Sequence, residues 1–330
     1  MMAVQMRETG GPEVLHYLEL PTPEPGPGEV LVKADTIGIG MPEVLVRKGL
    51  YAWMPPLPAV PGIEMAGHIA ALGAGVSQLQ VGDPVFVTAR ELPVRGGCYA
   101  EYIKAPAAAV YPLPEGVALE DAACLCNYQV AWHLLHSATK GFQYDSVLVW
   151  AAAGGVGTAL VQLAKAAGKQ VIGLAGGAAK CAFVREQGAD HCIDYKSEDI
   201  GAAIHAKTGG NGVDLILDSI GGPQLGRNFA WLAPLGQVIN YGLLEGQPDA
   251  SYAPAMLARF ADSVGLRYFS MHTFDHQPER RRAAMDALVP LLLEGKIKPP
   301  IFRRLALRDV QAAHALFESG QVLGKLLLKP

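Results

Sequence analysis

Residues 152–157 read Ala-Ala-Gly-Gly-Val-Gly, set between an apolar run, SVLVWA (146–151), and an amphipathic one, TALVQLAKAAG (158–168). A helix that opens on such a turn presents unpaired backbone N–H groups and a partial positive charge, and glycines let a pyrophosphate come close to that backbone. On the GxGxxG template the three glycine positions fall on Ala152, Gly154 and Gly157, so the first glycine is replaced. The string takes its meaning from context: a strand before it, a helix after it, and a second apolar run, KQVIGLA (169–175), where a βαβ unit needs its next strand. Ala153, Gly154, Gly155 and Val156 are the candidate cofactor-binding residues of this turn; the plainer alternative is a tight turn with no ligand.

The stretch VIGLAGGAAK (171–180) says which dinucleotide. About 20 residues beyond the glycines the template expects an Asp or Glu to bond the ribose 2′-OH of NAD. Ala175 and Gly176 stand there instead. A carboxylate would repel a 2′-phosphate, whereas small residues followed by Lys180 suit NADPH. Tyr195, at the end of HCIDY (191–195), adds a hydroxyl donor. The competing reading leaves Lys180 as a solvated lysine and Tyr195 as an edge aromatic.

These residues need elements to hold them. At 330 residues the chain has material for two domains, each with its own core. Charged residues make up 18%, hydrophobic ones 50%, and the net charge is −4, so composition offers no basic surface for nucleic acid. The first ten residues, MMAVQMRETG, hold no apolar segment of signal-peptide length, and a cytoplasmic location is expected. The hydropathic window 147–164 has glycines 154, 155 and 157 at its middle, which reads as strand, turn and helix rather than a membrane span. The five cysteines have no CxxC spacing; Cys124 and Cys126 read as core thiols.

Residues 1 to about 120 carry closely spaced β-like runs (EVLVKADTIGI, MAGHIAALG, DPVFVTA, YAEYIKA) broken by Pro and Gly, which predicts a small, mostly antiparallel β domain. A helical run, EDAACLCNYQVAWHLLHSA (120–138), then leads to strands alternating with helical segments, the pattern of a parallel sheet in an α/β fold. After about residue 265, two amphipathic helices (ERRRAAMDALVPLLLEGKI, LRDVQAAHALFES) and a last strand, GKLLLKP, are expected to fold back on the first domain.

Together, VRKGLY (46–51), LPAVPGIEMAGHIAALG (57–73), VGDPVF (81–86), CYAEYI (98–103), NYQVAWHLL (127–135), AAAGGVGTALVQLAKAAG (151–168), DSIGG (218–222) and the terminal GKLLL resemble the medium-chain dehydrogenase/reductase superfamily. Within it they resemble the zinc-free quinone oxidoreductases related to ζ-crystallin. The resemblance covers nearly the whole chain. It implies a GroES-like domain over 1–124, completed by 267–330, and a Rossmann domain, a doubly wound parallel sheet, over 125–266. It also implies an NADPH cofactor in a cleft and a homodimer joined at a Rossmann edge strand. Metal can be tested inside this resemblance. The zinc branch needs a cysteine near position 40 and a histidine after the glycine of GxE, and this chain has Gly40 and Ile63. Its four-cysteine loop is also missing, and His68 reads as an ordinary strand residue.

Without a Lewis acid, hydride transfer suits acceptors that are already electron-poor. The resemblance therefore implies reduction of a quinone or an α,β-unsaturated carbonyl. Tyr51 is its candidate proton donor, with a packing role or a ribose contact as the alternative. Asn127, Val130, Ser219, Tyr241 and Gly242 are further candidate cofactor contacts. Two departures bear on the reactive end: Gly40-Met41-Pro42-Glu43 stands where relatives carry NxxD, and Val130 replaces a common threonine. Two other readings stay open, a reductase of activated alkenes such as enoyl thioesters or haloacrylates, and a non-catalytic NADPH-binding protein. The run Glu279-Arg280-Arg281-Arg282, at a helix start, reads as a solvated face.

Overall fold

The computed structural model describes residues 1–330. Its strands are β1 (Met2–Gln5), β2 (His16–Glu19), β3 (Glu29–Ile39), β4 (Glu64–Leu72), β5 (Pro84–Thr88), β6 (Tyr102–Pro106), β7 (Val110–Pro112), β8 (Ser146–Val149), β9 (Gln170–Ala175), β10 (His191–Asp194), β11 (Val213–Asp218), β12 (Leu232–Asn240), β13 (Gly265–Tyr268), β14 (Ile301–Ala306) and β15 (Lys325–Lys329). The helices are α1 (Met41–Arg47), α2 (Leu119–Ala122), α3 (Leu125–His136), α4 (Gly155–Ala166), α5 (Ala178–Glu186), α6 (Ile200–Lys207), α7 (Tyr252–Leu257), α8 (Pro278–Leu293) and α9 (Val310–Glu318).

The chain divides into two units, Met1–Cys126 with Pro299–Pro330, and Asn127–Lys298. The first is the GroES-like one. Its main sheet runs β14-β15-β3-β4-β5-β7, with β6 also on β3; only the β14–β15 pair is parallel. β3 is long because three neighbours use it, and it buries Val30, Val32, Ile37 and Ile39 while Lys33 and Asp35 face solvent.

The second unit is the Rossmann one, a six-stranded, wholly parallel sheet ordered β10-β9-β8-β11-β12-β13. Counted within the unit this is the doubly wound order 3-2-1-4-5-6, whose direction reverses beside β8. Strands covered on both faces read as continuous apolar runs, and all of β8 is buried. The window 147–164 resolves into β8, a turn and α4, and no helix is long and apolar enough to cross a membrane.

Three expectations change. The chain returns to the first unit at 299, not 267, because backbone groups of the intervening segment are gripped by the second unit. Gln129 Nε2 donates to Arg281 O at 3.2 Å, and the Gln162 amide both donates to Lys298 O and accepts from Lys298 N, each at 2.9 Å. So α8 belongs to the second unit, whereas α9 and β15 belong to the first. Arg281 is no solvated arginine either: it is 4% exposed and donates to Phe274 O and Asp275 O. Finally, the run 120–138 is two helices rather than one. The backbone N–H of Cys126, at the start of α3, goes to the buried Glu64 carboxylate on β4 at 3.1 Å, a partner that only tertiary folding supplies.

Candidate nucleotide-binding site

The glycine turn begins where β8 ends. Trp150 N donates to Leu217 O on β11 and Ala152 N to Leu174 O on β9, fastening both sides of the turn to neighbouring strands. Ala151 takes a left-handed φ of 49°, a conformation that costs an alanine about 1–2 kcal/mol. Gly157 lies so close that a Cβ there would stand 2.2 Å from Ala151 O. Gly154 caps α4 without a side-chain hydrogen bond, and the helix has no acidic residue in its first turn. The N–H groups of Gly155 and Val156 therefore open an uncompensated positive helix end. Ala153, next to them, is 6% exposed.

At the ends of β9 and β10 the structure brings Gly176 and Tyr195 together. A Cβ on Gly176 would stand 2.7 Å from the Tyr195 hydroxyl oxygen, and 3.0 Å from Lys196 Cε. Tyr195 N donates to Ala175 O at 3.2 Å, and its ring lies 6.4 Å from that of Trp150. Lys180 is in the first turn of α5, half-buried. The Asp194 carboxylate, at the end of β10, accepts from Gly177 N at 2.8 Å and Lys196 N at 3.0 Å. Those two backbone bonds hold its pKa below the usual range. Lys196 is absent from the sequence reading; its signal is adjacency, since it directly follows Tyr195.

On the other side of β8, the ends of β11 and β12 meet. Tyr241 N donates to Asp218 O at 2.8 Å, and a Cβ on Gly242 would stand 2.6 Å from Ser219 O. Burial pushes the Tyr241 hydroxyl well up. Beneath them runs a network that the sequence does not announce. Trp150 Nε1 donates to Asn228 Oδ1 at 2.8 Å, Asn228 Nδ2 donates to Asp218 Oδ2 at 2.9 Å, and Asp218 Oδ1 accepts from Ile220 N and Gly221 N. Asp218 is 1% exposed, and burial raises its pKa. Asn127 and Val130 sit one turn apart on α3, both half-buried. The neighbouring Tyr128 ties α3 to α4 through a 2.7 Å bond to Gln162.

Tyr51 lies in the first unit, half-buried after α1, with its ring 5.7 Å from that of Trp53. At 40 and 63 the chain has Gly and Ile, whose side chains hold no ligand atom, and no group of three or more His, Cys, Asp or Glu side chains is placed to hold a metal. His68 is an exposed strand residue. Cys124 and Cys126 are buried, and Cys126 Sγ donates to Thr88 Oγ1.

Residues 26–115 match the model of the alcohol dehydrogenase GroES-like domain, and residues 187–328 match a model described as zinc-binding dehydrogenase. The quinone oxidoreductase of Pseudomonas aeruginosa is 31% identical over 328 residues, covering 99% of both chains. The synaptic vesicle membrane protein VAT-1 homolog of Rattus norvegicus is 32% identical over 322 residues, covering 93% of this chain and 78% of its own. The Escherichia coli quinone oxidoreductase complexed with NADPH superposes with a TM-score of 0.89 at 29% identity, over 100% of both chains. By this end-to-end similarity, the chain belongs to the zinc-free quinone oxidoreductase family of the medium-chain dehydrogenase/reductase superfamily.

Proposed function

We propose that the protein is an NADPH-dependent reductase that passes a hydride, without a metal, to a quinone or to the β-carbon of an α,β-unsaturated carbonyl. The observation that carries this reading is position 176 itself, where a glycine stands in place of a carboxylate side chain. A bare α-carbon faces the Tyr195 hydroxyl, Lys196 stands beside them, and the neighbouring Asp194 oxygen is occupied by backbone N–H groups. A 2′-phosphate fits that cradle better than a 2′-hydroxyl. The similarity to the E. coli enzyme complexed with NADPH supports it.

When bound, NADPH supplies a hydride from its reduced nicotinamide ring. The chain's own groups do the rest. Gly154, Gly155 and Val156 present backbone to the pyrophosphate. Lys180, Tyr195 and Lys196 hold the 2′-phosphate. Ser219, Tyr241, Gly242, Asn127 and Val130 would contact the cofactor, and Tyr51 would supply the proton that accompanies the hydride. One hydride and one proton convert a quinone to its hydroquinone, so no further oxidant or metal enters. The proposal includes a homodimer joined along β13, whose outer edge has no partner strand.

The test follows NADPH and NADH oxidation by absorbance with a panel of quinones and enones, beside Tyr51→Phe. Turnover with NADPH that falls at least tenfold in the variant is expected. Tight NADPH binding with no turnover on any acceptor would overturn the reductase reading, and unchanged turnover in Tyr51→Phe would remove that residue from the proton step.

A further inference from the structure

Inside the first unit, Glu43 and Glu64, each 1% exposed or less, and Lys325, 3% exposed, are among the ionisable side chains shut away from water. The Lys325 ammonium is in direct contact with Glu64 Oε1, and Glu64 Oε2 accepts from Cys126 N. Glu43 has no such ion pair. Its Oε2 accepts from Gly40 N and its Oε1 from Ile63 N, both at 3.0 Å, so one carboxylate joins the start of α1 to the residue before β4. Lys325 Nζ reaches the same corner, 3.9 Å from where a Cβ of Gly40 would stand.

Charge decides what this arrangement does. The other groups that face Glu43 are Cys98 and Tyr99, from the segment before β6, and Arg47 follows one turn further along α1. Burial pushes the Cys98 thiol and Tyr99 hydroxyl far up, so both stay neutral, and Arg47 is committed to Glu318 at 2.6 Å. One enclosed ammonium thus faces two carboxylates, and Glu64 holds it by contact. Burial pushes the Glu43 carboxyl up to about 7, with Lys325 opposing and Glu64 reinforcing the rise. Near neutral pH this acid therefore gains and loses a proton while both its oxygens are accepting backbone N–H groups. A proton on either oxygen competes directly with one of those bonds.

We propose that Glu43 is a proton-linked positioning residue for the segment that runs from Gly40 through α1 to Tyr51 and Trp53. Ionised, it clamps the start of α1 to Ile63. Protonated, it gives up one of the two N–H groups, and the segment it anchors moves. The effect on turnover rests on the reductase reading; the movement itself does not.

The experiment separates the two. Trp53 emission, taken as the difference between the protein and its Trp53→Phe variant, is followed between about pH 5 and 9. It is expected to titrate with a midpoint near 7 and to be flat in Glu43→Gln. Glu43→Asp, which keeps an ionisable carboxyl, restores a titration at a displaced midpoint. The pH profile of kcat/KM with NADPH and a quinone carries a matching inflection that Glu43→Gln removes, with the KM for NADPH unchanged. A flat Trp53 signal in the unsubstituted protein, or a titration that persists in Glu43→Gln, overturns the proposal. Absence of turnover with every acceptor sinks the reductase reading alone and leaves the Trp53 titration as the test.

Discussion

Gly176 and Tyr195 are in mutual contact at the ends of β9 and β10, so close that a methyl group on Gly176 would stand 2.7 Å from the tyrosine hydroxyl oxygen. The absence of a side chain at 176 thus does two things at once. It removes the carboxylate that would repel a 2′-phosphate, and it gives the phenol its place.

This contact makes cofactor choice testable. Gly176→Glu is expected to lose most NADPH affinity and to gain relative preference for NADH. On the proposed reading, Lys196→Ala would remove a charge-assisted contact worth about 1.5–3 kcal/mol, and should weaken NADPH at least tenfold while leaving NADH unchanged. Fluorescence titration with each dinucleotide reads both outcomes; equal losses for NADH and NADPH would count against the cradle.

The glycine turn carries two opposite expectations. Gly157→Ala forces a Cβ to 2.2 Å from Ala151 O and should abolish dinucleotide binding, with a lowered melting temperature. Ala151→Gly relieves a left-handed alanine at φ 49°. Relief of about 1–2 kcal/mol against a glycine entropy cost of about 0.5–1 kcal/mol leaves stability unchanged or about 1 kcal/mol higher. Denaturant unfolding of the two variants decides; a clear loss in Ala151→Gly would refute the strain argument.

Lys325 and Glu64 form a buried pair, so their removal should be strongly non-additive. Lys325→Met leaves an unpaired buried carboxylate and is expected to cost about 3–5 kcal/mol. Adding Glu64→Leu to it should recover most of that loss. Urea midpoints of the two single variants and the double variant measure the coupling.

Acid sensitivity has a named source in His314, fully buried on α9 with its Nε2 at 3.0 Å from the Tyr99 hydroxyl. Burial, aided by Arg47, lowers its pKa from the ordinary 6.5 to about 4. A group depressed in this way favours the folded state in full above 6.5, and that contribution drains away as pH falls toward 4, on the order of 3 kcal/mol in all. Glu43 has the opposite sign. Raised from 4.5 to about 7, its contribution is complete below 4.5 and is lost as pH rises through 7. Melting temperatures of His314→Asn should therefore fall less between neutral and mildly acid pH than those of the unsubstituted protein.

Much of the scaffold was legible because it repeats. β3, β8, β9, β11 and the turn at 152–157 are local patterns: apolar runs of strand length, then glycines, then a helical period. The late return of the chain at 299 was not legible, because it hangs on amide bonds from Gln129 and Gln162 to main-chain groups more than a hundred residues away. Side chain to backbone bonds of that reach leave no periodic trace.

The same division holds within the site. By itself the sequence determined the parallel sheet, the glycine turn and the missing carboxylate at 175–176, since each depends only on residue type and near spacing. Tertiary structure alone decided that Lys196 joins Tyr195 at Gly176, that Asn228 links Trp150 to Asp218, and that Glu43 shares one enclosed ammonium with Glu64. Those relationships depend on which strand ends lie side by side and on how far water is excluded from them. Both are properties of the packed chain, not of any stretch of it.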